Sequence, residues 1–156
     1  MKKSLSIIAL LVLTQLTPAQ DAAPAAVGEV VKLMLGVIPN TMKFDKSELT
    51  VKAGSKVMLL FRNEKCALMH NFLLVKPGKK DVVGALADKM LTDPEGMKKL
   101  YVPDSADVEV KGTKLIGIGQ SDLLEFTAPT EPGEYPYICT FPGHWRLMNG
   151  VLKVTQ

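Results

Sequence analysis

From Val30 to Val154 the chain is cut into short apolar runs by turn residues, and this segmentation constrains the fold more than any other feature. Val30–Ile38 ends at Pro39-Asn40. Met42, Phe44, Leu49 and Val51 mark a second piece that bends at Asp45-Lys46-Ser47. Ala53-Gly54-Ser55 then turns the chain into Val57–Phe61, and Phe72–Val75 stops at Pro77-Gly78. Further runs are Lys114–Ile118, Leu123–Phe126, Tyr135–Cys139 and Gly150–Val154. Runs this short, bounded by glycine and proline, cannot make a helical bundle; they predict an all-β sandwich or barrel. One segment differs. Val82, Val83, Leu86, Met90 and Leu91 fall on a helical stripe behind Asp81, a suitable N-cap, and Asp93-Pro94-Glu95 looks like a second helix start. A helical excursion over residues 81–100 is therefore expected inside the β frame.

The N-terminus is not part of that frame. Lys2 and Lys3 precede the apolar run Leu5–Leu13, and Thr14, Gln15 and Thr17 lead to Pro18-Ala19. A basic start, a short apolar stretch and a small-residue exit describe a secretory signal over residues 1–19, with a retained anchor as the other reading. Residues 20–28, QDAAPAAVG, read as a short tether, which leaves 29–156 as a single domain. Removing residues 1–19 takes two lysines from a net charge of +3 and leaves +1. A nearly neutral exported domain is poorly suited to nucleic acid or to an anionic membrane, and no later stretch is long enough to span a bilayer.

An exported chain lives where disulfides survive, so Cys66 and Cys139 could be paired. Against pairing, a domain of this size forms a core without a staple, and Cys139 sits in the segment richest in metal-binding chemistry. That segment runs Tyr135-Pro-Tyr-Ile-Cys139-Thr-Phe-Pro-Gly-His144-Trp-Arg-Leu-Met148. A thiolate, an imidazole and a thioether on one loop form a soft donor set, better suited to copper than to magnesium or calcium. The chain has two histidines, and the other, His70, stands at the mouth of the run Phe72–Val75. His70, Cys139 and His144 with a weak Met148 make up the trigonal His₂Cys site with a long axial thioether that blue copper uses. Zinc is the rival ion, but it favours four good donors in a tetrahedron.

Cys139-Thr-Phe-Pro-Gly-His144, followed by Met148, resembles the copper-binding loop of the azurins, blue copper proteins of the cupredoxin family. Similar stretches are Met42-Lys-Phe44 with Leu49-Thr-Val-Lys-Ala-Gly54, Asn63 ahead of His70-Asn71, and Tyr101-Val-Pro-Asp104 with Thr113-Lys-Leu-Ile-Gly117. The resemblance covers about residues 30–156 and implies an eight-stranded Greek-key β-sandwich with a helical flap and one mononuclear type 1 copper. It implies His70, Cys139, His144 and Met148 as ligands, with Asn71, Thr140 and the Phe141 amide holding the loop around them. Two departures stand out. Azurins carry glycine before the first histidine ligand, and its carbonyl approaches the copper axially; here that residue is Met69. The N-terminal disulfide typical of azurins is absent, and Cys66 reads as a free thiol close to the site.

The function implied is that of an exported, periplasmic electron carrier and not an enzyme, with copper cycling between Cu(II) and Cu(I). Redox partners would dock on an apolar patch of Leu68, Met69, Pro142 and Trp145 around His144, unless Trp145 folds back as a lid over the loop. Two rivals remain at this level. A hydrolase with Cys139 as nucleophile and His144 as base would need an orienting carboxylate, which the loop lacks. A periplasmic copper carrier or resistance protein would be expected to offer clustered exposed methionines, whereas the eight methionines here are scattered.

Overall fold

The computed structural model describes residues 29–156; the expected signal and tether lie outside the described residues. Within the described residues, eight strands form two sheets. One has the order β1 (Val31–Gly36), β3 (Lys56–Asn63), β6 (Gln120–Thr127). The other has the order β2 (Glu48–Lys52), β8 (Asn149–Thr155), β7 (Gly133–Ile138), β4 (Leu73–Val75), β5 (Val108–Val110). The chain crosses repeatedly between the sheets, so β1 lies parallel to β3 and β2 parallel to β8 while the remaining pairs are antiparallel. This is the Greek-key sandwich that the resemblance implies.

The period-2 pattern explains why the sheets close on each other. In β3, Val57, Leu59 and Phe61 point inward while Met58, Leu60 and Arg62 alternate outward. They meet Leu49 and Val51 of β2, Tyr135 and Tyr137 of β7, and Leu152 and Val154 of β8 in one core. Tyr137 lies at its centre, edge-on to Phe44 and stacked on Phe72, and its hydroxyl donates to the Lys46 carbonyl at 2.7 Å. That last bond is what allows a phenol to be fully buried.

Four local expectations change. The run Lys114–Ile118 is not a strand. Its amides are taken by side chains, Lys114 N–H by Asp122 and Gly117 N–H by Gln120, and only Ile116 pairs with backbone, across to His70. The strand beside β4 is instead β5, a three-residue piece between the charged Asp107 and Lys111 with too little apolar pattern to read. Helix α1 (Lys80–Lys89) begins one residue before Asp81; Lys79 occupies the cap with no side-chain bond, and Asp81 sits in the first turn, where its charge favours the helix dipole. Its buried face is Val83, Gly84 and Ala87, while Val82 and Leu91 point to solvent.

The second helix does not form. After a 3₁₀ turn over Met90–Thr92, Asp93 accepts the Glu95 amide in a local turn, and one helical turn follows, Lys99 N–H to Glu95 C=O. It ends in a Schellman motif, Tyr101 N–H to Gly96 C=O and Leu100 N–H to Met97 C=O. Leu100 and Tyr101 both take positive φ, 56° and 55°, a conformation usually left to glycine. Among the described residues no helix is long and apolar enough to cross a membrane.

Candidate metal centre

Cys139 follows the last residue of β7, and Met148 precedes the first residue of β8, so the two strands hold the ends of one loop. Cys139 N–H donates to Met148 C=O at 3.0 Å, closing it. Inside, His144 N–H bonds to Phe141 C=O and Met148 N–H to His144 C=O, a single helical turn. Asn149 caps that turn by donating to the Trp145 and Arg146 carbonyls. Gly143, at φ 84°, supplies the left-handed step that an L side chain would resist.

His70 comes from a different loop, ahead of β4. Its backbone makes a two-way bridge with Ile116, His70 N–H to Ile116 C=O and Ile116 N–H to His70 C=O. Asn63 shapes the approach by donating to Leu68 C=O and accepting the Cys66 amide. Asn71 then joins the two loops: its Oδ1 accepts Thr140 N–H at 2.7 Å, and its Nδ2 donates to Thr140 Oγ1 at 2.8 Å and to Leu100 C=O at 3.1 Å. One buried amide thus ties the cysteine loop, the histidine loop and the end of the flap, with every polar atom used.

These braces bring three donors together. Cys139 Sγ lies 3.8 Å from His70 Nδ1 and 3.6 Å from His144 Nδ1, and all three ligand atoms fall within 4.8 Å of one another. Bonds of about 2.3 Å to sulfur and 2.0 Å to nitrogen, meeting at 120°, put S and N about 3.7 Å apart, against about 3.5 Å for a tetrahedral angle. Both sulfur–nitrogen distances are thus close to what two donors of one ion require. Met148 is fully buried and shares the core cluster with Cys139.

Burial sets the protonation of the group. The Cys139 thiol is pushed up to about 12 by desolvation, with the amides of Asn71 and Phe141 acting in the other direction. Desolvation, then the charge of His144, brings His70 down to about 4; His144 is lowered by its own burial. At neutral pH the set is two neutral imidazoles and one thiol, with a single proton to displace on metal binding. No carboxylate belongs to it among the described residues. A soft, uncharged, sulfur-containing trio is a copper site by its chemistry.

The other expected residues are placed unevenly. Thr140 and Phe141 flank Cys139, and Phe141 lies against the His144 ring with centroids 4.7 Å apart. Met69 is half-buried and, like Phe141, packs on the cluster of Met90, Tyr101 and Leu115. Leu68 is exposed, and Pro142 half-buried. Both cysteines are free and buried. Trp145 is not part of an exposed patch. It is 7% exposed and packs with Leu73, Val75, Val83 and Ile138 between the sheet and α1, its Nε1 donating to Asp88. Trp145 neither lines an exposed patch nor covers the loop; its indole fills the space above Gly84, where any Cβ would overlap its ring, and so anchors the loop to α1.

Asp88 was not singled out by the sequence, yet it holds the loop from the flap side. Its carboxylate accepts Gly143 N–H at 2.9 Å, Trp145 Nε1–H at 3.0 Å and the Arg146 guanidinium at 2.7 Å. The available signal was indirect: a buried indole N–H needs an acceptor, and Asp88 is a carboxylate on the expected helical segment.

Comparison with known proteins gives a consistent set of relatives. A family model for copper binding proteins of the plastocyanin/azurin family matches residues 31–155. Auracyanin-A of Chloroflexus aurantiacus is 34% identical over 124 residues, 80% of this chain and 74% of that protein. Azurin-1 of Alcaligenes xylosoxydans xylosoxydans is 36% identical over 122 residues, 74% of this chain and 91% of that protein. Among solved structures, that of auracyanin A, a "blue" copper protein, superposes with a TM-score of 0.71 at 34% identity, covering 81% of this chain and all of that one (100%).

Proposed function

The chain belongs to the plastocyanin/azurin family of copper-binding proteins, and from that premise we propose that it is an exported carrier of single electrons. The observation that supports this reading best is the trio His70, Cys139 and His144, already within 4.8 Å of one another and cross-braced through Asn71. His70 Nδ1, Cys139 Sγ and His144 Nδ1 would hold the copper, with the Met148 thioether and the Met69 carbonyl as weaker contacts. A copper ion held there supplies a reversible one-electron couple, Cu(II)/Cu(I).

What the protein contributes is a fixed set of donors. Asn71 fixes Thr140 beside the thiolate, the Asn71 and Phe141 amides are directed at the Cys139 sulfur, and the Ile116 bridge fixes the His70 backbone. Outer bonds of this kind orient ligands and tune the metal. Little has to move when one electron arrives or leaves. His144 is 5% exposed beside the exposed Gly143, which makes it the port, and redox partners meet the surface through Leu68, Met69 and Pro142. Such encounters are small, typically below about 1,200 Å² of buried surface. Lys2-Lys3 and the apolar run after them support export to the periplasm or its equivalent.

The rivals lose ground to burial. A hydrolytic nucleophile needs access and thiolate character, but Cys139 is fully buried and its thiol is pushed up to about 12. A copper carrier must release its ion readily, whereas the donors here lie inside the domain. The test is the visible and EPR spectrum of the copper-loaded protein, together with Cys139→Ser. An intense blue band bleached by ascorbate, and lost in Cys139→Ser, is expected. A variant that stays deep blue refutes the thiolate assignment, and rapid copper loss to a mild chelator makes the protein a copper carrier instead.

A further inference from the structure

His70 uses one ring nitrogen toward Cys139, and the other is engaged as well. His70 Nε2 lies 3.3 Å from Cys66 Sγ, inside the fold, and Cys66 Sγ lies 3.7 Å from the Thr41 carbonyl. The polarity of this relay can be derived. For both contacts to be hydrogen bonds the thiol hydrogen of Cys66 must point at Thr41, because a carbonyl oxygen only accepts. The sulfur then turns a lone pair toward His70, and Nε2 must carry the hydrogen that reaches it. In a neutral imidazole the remaining nitrogen is then bare, and that is Nδ1, 3.8 Å from Cys139 Sγ.

Both ends of the relay sit in braced loops. Cys66 N–H is held by Asn63 Oδ1 at 3.0 Å, and Asn63 reaches on to Leu68 C=O, so the backbone that carries the buried sulfur is held in a closed loop. Thr41 sits in the turn after Asn40, whose φ is 56°, with its own N–H and Oγ1–H both on Ile38 C=O.

We infer that Cys66 is a positioning residue for the metal centre, the hydrogen-bond acceptor that locks His70 in its Nε2–H tautomer and leaves Nδ1 free to bind copper. The inference rests on the copper reading for its purpose, but the tautomer is a property of the metal-free chain and can be measured there. A metal-binding histidine almost always donates its second N–H to a carboxylate, a carbonyl or water, and losing such a partner costs about 10- to 100-fold in metal affinity. Here a thiol sulfur takes that place. It is a weak acceptor, and it is the softest and most oxidisable atom that could stand there.

The experiment compares the full-length chain with Cys66→Val, which fills the space without accepting, and Cys66→Ser, which can both accept and donate. In the metal-free proteins, ¹⁵N histidine NMR should find His70 protonated at Nε2, with slow exchange of that proton, in wild type and in Cys66→Ser. Cys66→Val should show a mixed tautomer or rapid exchange, and Cu(II) affinity should fall by about 10- to 100-fold and be restored by serine. A Cys66→Val protein with the same Nε2–H signal, exchange and affinity as wild type overturns the inference, as does a serine variant that behaves like valine. If Cys66→Val does not fold, wild type and Cys66→Ser suffice: the Nε2–H resonance must move when sulfur is replaced by oxygen, and an unmoved resonance overturns the inference. Failure of the copper reading would appear separately, as a wild-type protein with the locked tautomer and no blue band.

Discussion

Removing the Asp88 carboxylate should loosen the copper loop from the flap, and the three bonds it accepts set the size of the effect. Arg146 is half-exposed, so its ion pair with Asp88 contributes under about 1 kcal/mol. Gly143 is exposed, and its amide finds water at a cost of about 0.5 kcal/mol. The Trp145 indole is 7% exposed; its orphaned N–H costs about 1–3 kcal/mol and dominates. Asp88→Ala should therefore destabilise the domain by about 2–4 kcal/mol at neutral pH, and Asp88→Asn, which keeps one acceptor oxygen, by less. The pH dependence has a definite sign. Burial alone would raise the Asp88 carboxyl, but the bonds from Trp145, Gly143 and Arg146 outweigh it and hold the group below its ordinary 3.8. A depressed carboxyl contributes its stability above its ordinary value and loses it as pH falls through the folded value, so the gap between wild type and Asp88→Ala should close in acid. Denaturant unfolding of the metal-free proteins, followed by the fluorescence of Trp145, the chain's single tryptophan, measures both. An Asp88→Ala variant within about 0.5 kcal/mol of wild type, with unshifted emission, would refute the clamp.

Gly84→Ala gains about 0.5–1 kcal/mol of helix propensity but drives a methyl into the Trp145 ring, so a net loss of about 1–2 kcal/mol should appear in the same unfolding assay; a more stable variant would mean that the indole moves freely. Met148→Leu should keep the blue band and raise the reduction potential by on the order of 60 mV, one tenfold bias toward Cu(I); voltammetry finding an unchanged or lower potential would make Met148 simple core filler. Copper binding has to displace the Cys139 proton, held up to about 12, while His70, brought down to about 4, is already neutral. Apparent Cu(II) affinity should then rise about tenfold per pH unit between roughly pH 7 and 8, where both imidazoles are neutral, and more steeply in acid as His144 and His70 protonate. A competition titration that is flat with pH would show that the thiol is not a ligand.

The legible part of this fold was the part carried by short-range chemistry. Turn residues bracket β2, β3, β7 and β8, and the donors of the loop lie within ten positions of one another, so spacing alone brings them together. The parts that were not legible depend on partners distant in sequence. Lys114–Ile118 has the composition of a strand, but Asp122 and Gln120 take two of its amides; β5 has almost no pattern of its own and exists because β4 offers an edge. Trp145 could equally well have been exposed or buried on sequence grounds. Gly84 and Asp88, some sixty residues upstream, decide it by making room for the ring and accepting its N–H.

The copper loop is held from two sides by residues of quite different character, and the strained end of the flap explains why both are needed. Asn71 grips Thr140 from the sandwich, while Asp88 grips Gly143 and Trp145 from α1. The flap ends at Leu100 and Tyr101, two consecutive non-glycine residues at positive φ, each costing on the order of 1–2 kcal/mol. A strained turn persists only where its surroundings over-determine it. Here Leu100 C=O accepts from Asn71 Nδ2, and the Tyr101 ring meets Phe141 edge-on at 5.3 Å, next to the His144 ring. The strain therefore aims a carbonyl at the amide that braces Cys139 and a phenol at the residue that walls His144. A flap joined to the site only through α1 could swing without disturbing the ligands. One that also supplies an acceptor to Asn71 cannot, so flap and metal centre should unfold together as one cooperative unit, with amide exchange at Thr140 and Tyr101 protected to the same degree.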